Sequence, residues 1–168
     1  MARVVGPSIH SHHRESSMAE FNTTQAAKLI AGKKLSPHEQ GGRKRILASK
    51  MPAAYAQIAI GDTVFIGRVP VNSRFTLNSS VGCAAGTASS ALDIGIRSSD
   101  TGEVIDAAAI AAGVNIAAAG VKPANTGARI GSGAEYVTEE AVDVFATVRG
   151  AVVAANQALK FEIEYVTD

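Results

Sequence analysis

Two segments near the carboxyl end of the chain alternate apolar and polar side chains, and this pattern constrains the fold more than any other feature. In residues 142–149 every second residue is valine or alanine, and in residues 159–166 large apolar side chains alternate with mainly charged ones. A period of two is the signature of a β-strand with two different faces. Burying the charges of Lys160, Glu162 and Glu164 would be costly, so the apolar face must contact a core. We predict that the two segments form an antiparallel pair that closes a β-sandwich or barrel.

The middle of the chain carries further strand-like stretches separated by turn residues. Each is short, rich in β-branched or aliphatic side chains, and bounded by Gly, Pro, Asn, Asp or Ser. They are residues 57–60, 63–69, 75–80, 90–98 and 103–105. Asp106 can cap a helix and Gly113 can end one, so we predict a short helix over the alanine-rich residues 107–112. About six to eight short strands with one short helix are typical of a mainly β protein, an antiparallel β-sandwich of jelly-roll-like form.

Charge is distributed unevenly along the chain. Residues 1–50 contain nine Lys or Arg and three acidic residues, a net charge of +6. Residues 51–168 contain seven Lys or Arg and twelve acidic residues, a net charge of −5. A basic segment joined to an acidic body favours an oppositely charged partner for the basic segment.

This uneven distribution suggests three regions. Residues 1–17 mix Gly, Pro, Ser and His without periodicity and are predicted to be a flexible tail. Residues 18–54 form a basic N-terminal arm, whose apolar side chains are too few for a core of its own. We expect the arm to be extended, partly helical and ordered only against a partner. Residues 55–168 are predicted to be the β-sandwich domain.

Two short helical pieces are predicted within the arm. Asn22 or Thr23 can cap the first piece, whose apolar stripe ends before Gly32. Residues 36–39, Ser-Pro-His-Glu, form a capping box with proline at the first helical position, followed closely by the glycines at 41 and 42. Helices this short are marginal by themselves, so both pieces are expected to depend on other contacts.

The histidines do not predict a metal or catalytic site. His10, His12 and His13, together with Glu15, have a spacing that could bind a metal, but a metal site needs a scaffold that this segment lacks. All four histidines precede residue 39, in the least rigid part of the chain. A general base held against a serine nucleophile is therefore not predicted.

Two glycine-containing motifs and one cysteine have ordinary structural interpretations. Gly32-Lys33-Lys34 lacks the upstream glycine of a phosphate loop, and Gly131-Ser132-Gly133 lacks the rest of a dinucleotide fingerprint. Cys83 is the only cysteine, which excludes an intramolecular disulfide and a cysteine-based zinc site. We predict that it is a small hydrophobic residue of the core.

Four acidic residues, Glu135, Glu139, Glu140 and Asp143, cluster near one predicted strand end. Such a cluster could bind calcium, or Glu135, Glu139 or Asp143 could act as paired carboxylates of a hydrolase. A solvated loop rim is the more ordinary interpretation. We therefore predict that the chain is not an enzyme and holds neither a cofactor nor a metal.

The cations of the arm are the strongest chemical signal in the chain. Nucleic-acid binding favours aromatic side chains interleaved with cations, and Phe21 is the only aromatic residue before Tyr55. A protein surface needs only acidity and an arm that orders on contact. We therefore favour a protein partner over nucleic acid. The predicted contact residues are Phe21, Lys28, Leu29, Ile30, Lys33, Lys34, Arg43, Lys44, Arg45 and Lys50.

The body carries a characteristic order of segments. They are residues 57–62, 65–70, 73–77 and 91–96 with the alanine-rich run after them, and the endings 142–148 and 159–166. This order, over residues 55–168, resembles small virion proteins of tailed bacteriophages, the capsid decoration (cement) and minor head proteins.

The resemblance implies a structural role on the capsid exterior of a virion made in the host cytoplasm. The implied partner is the major capsid protein, which the arm would grip, and the implied assembly is a homo-oligomer, a trimer or dimer. The alternative is a head fibre or spike base whose loops, such as residues 122–133, bind another virion protein or a host glycan. No apolar stretch approaches the length of a membrane span, so no membrane partner is expected.

Overall fold

A computed structural model describes residues 23–35, 42–133 and 135–167 of the chain. The chain divides into two compact units, Met1–Leu35 and Ser36–Asp168. The predicted flexible tail, Phe21 and the predicted capping box at residues 36–39 lie outside the described residues. Within the described ranges, no helix has the length and apolar character needed to cross a membrane.

The described part of the first unit contains one helix, α1, over Thr24–Ile30. Thr23 caps it, because its side-chain oxygen accepts a hydrogen bond of 3.3 Å from the backbone N–H of Ala26. Beyond the helix, Gly32 has a φ of 66°, a left-handed conformation that glycine adopts without strain. The prediction of a short helix here, capped by Asn22 or Thr23 and ended by Gly32, is confirmed, and Thr23 is the cap.

The second unit, where it is described, contains nine β-strands and one short helix. The strands are β1 (Arg43–Lys50), β2 (Thr63–Val69), β3 (Arg74–Phe75), β4 (Ser80–Cys83), β5 (Ala91–Ser98), β6 (Val104–Asn115), β7 (Gly120–Pro123), β8 (Val142–Arg149) and β9 (Leu159–Thr167), and the helix is α2 (Ala128–Gly131). The β9 sheet has the order β1-β9-β4-β7, with β3 also paired to β9. The β8 sheet has the order β2-β8-β5-β6. Every strand pair is antiparallel.

The two sheets share one hydrophobic core. Phe161 and Ile163 of the β9 sheet and Ile94, Val144 and Val148 of the β8 sheet belong to the same buried cluster. Each such side chain stabilises the fold by about 1.5–3 kcal/mol relative to full exposure. The prediction of a mainly β, antiparallel two-sheet protein is confirmed, whereas the jelly-roll-like arrangement stays a prediction.

The predicted pairing of the last two strands is wrong. Residues 142–149 and 159–167 do form strands, but β8 pairs with β2 and β5, whereas β9 pairs with β1, β3 and β4. Both strands direct an apolar face at the same core from opposite sheets. Alternation shows that one face of a strand contacts a core. It does not show whether a second such strand is hydrogen-bonded beside the first or lies in the opposite sheet across the core.

The predicted helix over residues 107–112 is also wrong, because these residues belong to β6. Asp106 does accept a hydrogen bond of 3.0 Å from the backbone N–H of Ala108, as a helix cap would, but the backbone continues as a strand. β6 pairs with β5 through several register shifts. The hydroxyl of Thr126 accepts a hydrogen bond from the backbone N–H of Ala112 and donates one to its carbonyl oxygen. Tertiary pairing therefore overrides the helix propensity of the alanine run.

The arm does not extend to residue 54, since Arg43–Lys50 forms β1 and pairs with β9 along its whole length. Leu47 packs against the core, where its side chain occupies the space beside Gly67. The backbone of β9 supplies hydrogen-bond partners for the backbone of β1. The sequence does not show that this edge of β9 is open to a further strand. The second unit therefore begins well before residue 55, and part of the predicted arm is a strand of the sandwich.

Candidate interaction surfaces

The ten predicted contact residues do not form one continuous arm. Phe21 lies outside the described residues. Lys28, Leu29, Ile30, Lys33 and Lys34 lie in the first unit, and Arg43, Lys44, Arg45 and Lys50 lie on β1 of the second. The predicted contact residues are therefore divided between the two units.

The surface of the first unit combines apolar and cationic side chains. Leu29 and Ile30 lie in the last turn of α1 and are 59% and 74% exposed. Lys33 and Lys34 follow after Ala31 and Gly32 and are exposed as well. Exposed aliphatic side chains beside cations suit a partner surface that is apolar at its centre and acidic at its rim.

The surface of the second unit is an edge strand of the β9 sheet. Lys44, Ile46 and Lys50 lie on the solvent face of β1, because Leu47 between them packs on the core. Ile46 is 59% exposed. Lysines on an edge strand also discourage unwanted strand pairing, so their presence alone does not define a binding site.

Lys44 has a structural role in addition to any contact with a partner. Its Nζ lies 2.7 Å from a carboxylate oxygen of Glu164, which is nearly buried on the neighbouring strand. Burial alone raises the pKa of Glu164, but hydrogen bonds from Lys44, Thr76 and Asn78 outweigh it and hold the pKa below its ordinary value. This part of the basic cluster therefore stabilises the sheet.

Lys50 lies directly opposite Lys160 in the β1–β9 ladder, and both lysines line a surface groove of about 600 Å³. Met51, Cys83 and Leu159 contribute to its apolar lining. The prediction named Lys50 but missed Lys160, because nothing in the sequence shows which residues face each other across two strands. Cys83 is half-buried at the edge of the core, and its Sγ lies 3.3 Å from the backbone oxygen of Ala118.

The acidic cluster is distributed among separate partners. Asp143 pairs with Arg68 at 2.7 Å, Glu135 pairs with Arg74 at 3.3 Å, and Glu140 accepts a hydrogen bond of 2.7 Å from a serine hydroxyl of β5. Across the described ranges, no group of three or more His, Cys, Asp or Glu is placed to hold a metal ion. Asp143, Glu135 and Glu140 thus each contact a different side chain.

Sequence reasoning also missed a polar network on the outer face of the β8 sheet. The guanidinium of Arg97 lies over the rings of Phe65 and Phe145, 5.9 and 5.5 Å from their centres. Asp143, only 8% exposed, accepts a hydrogen bond from Arg68, which raises the pKa of that arginine. The two phenylalanines become neighbours only through the β2–β8 register.

The loop over residues 122–133, proposed for a fibre or spike role, is held against β6. Arg129 of α2 lies 4.5 Å above the ring of Tyr136 and its Nε is 3.1 Å from a carboxylate oxygen of Asp106. No observation on this loop indicates a glycan or a second virion protein, so the fibre alternative stays a prediction.

These features define an antiparallel β-sandwich with a basic edge strand and a separate basic helical unit. No protein family model matches the chain, and no curated protein matches its sequence. Among solved structures, a chain from the capsid of Ralstonia phage GP4 is similar with a TM-score of 0.58 and 20% identity, over 76% of this chain and 86% of that chain. A chain from the capsid asymmetric unit of cyanophage Pam1 is similar with a TM-score of 0.54 and 14% identity, over 90% of this chain and 100% of that chain. The chain thus has a fold that occurs in phage capsids.

Proposed function

We propose that the chain is a virion structural protein that decorates and stabilises a bacteriophage capsid from its exterior. The observation that carries this proposal is the fold shared with chains from two phage capsids. The described residues add support, because exposed aliphatic side chains of α1, Leu29 and Ile30, lie in the same unit as the exposed cations Lys33 and Lys34. Such a surface suits a protein partner, and we assign that role to the major capsid protein.

The first unit supplies the most favourable contact. Leu29 and Ile30 would bury apolar area against the shell, while Lys33 and Lys34 would face acidic groups around that area. A trimer or dimer would present several copies of this contact at once. Simultaneous engagement of linked copies raises the overall affinity without any new contact.

Stabilisation would follow from added contact area. A capsid repeats each subunit interface many times, so a protein that bridges neighbouring subunits opposes their separation at every site it occupies. No chemistry is required of the decorating chain, which is consistent with a role that depends on surface complementarity.

The role of the first unit can be tested by cosedimentation with shells assembled from the phage's major capsid protein. We expect Leu29→Asp to weaken shell binding by roughly tenfold or more. In the proposed complex the shell would bury the aliphatic side chain of Leu29, and a carboxylate there would lose its hydration. Leu77→Asp is the matched control, since Leu77 is 60% exposed and Leu29 is 59% exposed, but Leu77 lies outside the basic segment. Equal binding by both variants and the unsubstituted chain would exclude Leu29 from the contact.

A further inference from the structure

We propose that the groove beside Lys50 and Lys160 binds an acidic, apolar peptide segment of a partner protein. This inference deepens the proposed function and rests on it, because it names the chemistry of a second contact between the chain and a neighbouring protein of the virion. The groove lies on the second unit and does not involve α1.

The strand register places two like charges opposite each other. Lys50 and Lys160 are direct partners in the β1–β9 ladder, and Gly82 is the partner of Lys160 on its other side. Directly opposed like charges on one face of a sheet are destabilising. Lys160 is paired with Glu162, whereas Lys50 makes no ion pair with any residue that the structure describes. An anionic occupant would therefore supply Lys50 with the opposite charge that the described carboxylates do not give it.

The groove is open because several residues of its lining are small. At Gly82 an added Cβ would meet only the Cβ of Lys160, at 3.9 Å, so the position has room above the strand. The groove measures about 600 Å³, within the range typical of ligand-binding clefts. Met51, Pro52, Ala158 and Leu159 contribute to its apolar lining. The occupant should therefore carry apolar groups as well as negative charge.

A peptide fits this combination better than a nucleic acid or a phosphate does. Single-stranded nucleic acids stack on aromatic side chains, and the groove lining includes none. The bidentate guanidinium geometry that favours phosphate is also missing from the lining, because its two cations are lysines. Aspartate or glutamate flanked by aliphatic residues supplies both a carboxylate for the lysines and side chains for the apolar walls.

The test uses the full chain and an array of overlapping peptides that cover the major capsid protein. Cys83 is the only cysteine of the chain and lines the groove, so its rate of alkylation reports occupancy at this site. We expect retained peptides to be rich in acidic and aliphatic residues and to slow alkylation of Cys83. We expect the double variant Lys50→Gln, Lys160→Gln to bind them about tenfold more weakly, since two exposed ion pairs contribute about that much together.

Two further variants make the result specific. Gly82→Val should weaken peptide binding, because it places a branched side chain in the groove. A Cβ at this position would make only an ordinary contact, at 3.9 Å from the Cβ of Lys160. Lys122→Gln removes one positive charge outside the groove lining and should leave peptide binding unchanged.

Peptide binding at the groove and shell binding by the whole chain can be measured independently. Shell binding by the chain without retention of any acidic peptide, or retention that does not depend on the two lysines, would overturn the groove assignment alone. Protection of Cys83 by oligonucleotides or inorganic phosphate, with no effect of acidic peptides, would overturn it as well. Peptide binding at the groove by a chain that never binds shells would count against the capsid role.

Discussion

At the scale of single residues, Glu164 shows how the basic segment contributes to the fold itself. Its carboxylate is nearly buried on β9 and accepts hydrogen bonds from Lys44, Thr76 and Asn78. Burial raises the pKa of Glu164, but these hydrogen bonds outweigh burial and hold it below its ordinary value of 4.5. A lowered pKa means that the charged carboxylate stabilises the folded state above the ordinary pKa, and that this stabilisation is lost as the pH falls through the lowered value.

We therefore expect Glu164→Gln to reduce the free energy of unfolding by about 1–2 kcal/mol near neutral pH. Below the lowered pKa the unsubstituted chain has lost the same contribution, so the difference between the two proteins should shrink. Urea unfolding of both proteins, from neutral pH to a pH well below 4.5, measures the loss of stability and its decrease in acid. Glu162→Gln is the control, since that side chain is 43% exposed and should change stability little. A difference that stays constant into acid would contradict the assignment.

Gly95 is a second residue whose effect can be predicted. An added Cβ on Gly95 would lie 2.5 Å from the backbone oxygen of Asp106, because β6 crosses close to β5 at this point. We expect Gly95→Ala to destabilise the protein by about 1–3 kcal/mol, as overpacking does in a close-packed interior. Gly82→Ala is the matched strand control, with only one atom near its added Cβ, at 3.9 Å. Equal unfolding midpoints for the two variants would contradict the close approach of β6.

At the scale of elements, strands with a clear period of two could be predicted from the sequence, but their neighbours could not. Residues 90–98, 142–149 and 159–166 were correctly assigned as strands. Their pairing depends on which sheet each strand joins, and alternation does not encode that choice. The same limit hid the opposition of Lys50 and Lys160, which is a property of the register alone.

The elements that were missed lack a legible period. In residues 107–112 every side chain but one is alanine, so no contrast between faces distinguishes a strand from a helix. In β1 the charges of Arg43, Lys44 and Arg45 conceal the one side chain, Leu47, that packs on the core. An edge strand needs little apolar surface, because its neighbour supplies the hydrogen bonds.

Because β1 is a strand of the sandwich, removing the residues before it and removing β1 as well should have different effects on stability. We expect a chain that begins at residue 42 to fold, because the second unit keeps all its described strands. A chain that begins at residue 51 should be markedly less stable and prone to aggregation, because it loses Leu47 from the core and exposes the edge of β9. Thermal unfolding and size-exclusion chromatography of the two proteins provide the comparison. Equal stability would show that β1 contributes nothing to the sandwich.

At the scale of the whole molecule, the charge contrast between the two units is smaller than the sequence division suggested. Residues 1–35 carry a net charge of +3 and residues 36–168 carry −2, because four cations of the basic segment belong to β1. For the proposed contact we therefore expect weaker long-range attraction to an acidic shell and a larger contribution from apolar burial of Leu29 and Ile30. We expect added salt to weaken shell binding only moderately, which cosedimentation over a range of salt concentrations measures.

We propose that the chain adds stability to a capsid, and this effect can be measured by heating shells with and without it. Shells assembled from the major capsid protein, saturated with the full chain, should disassemble at a higher temperature than bare shells, because a ligand that binds only the intact assembly stabilises it. Light scattering during the temperature ramp records the transition. An unchanged transition with the chain bound, or the absence of any bound chain at saturating concentration, would contradict the account.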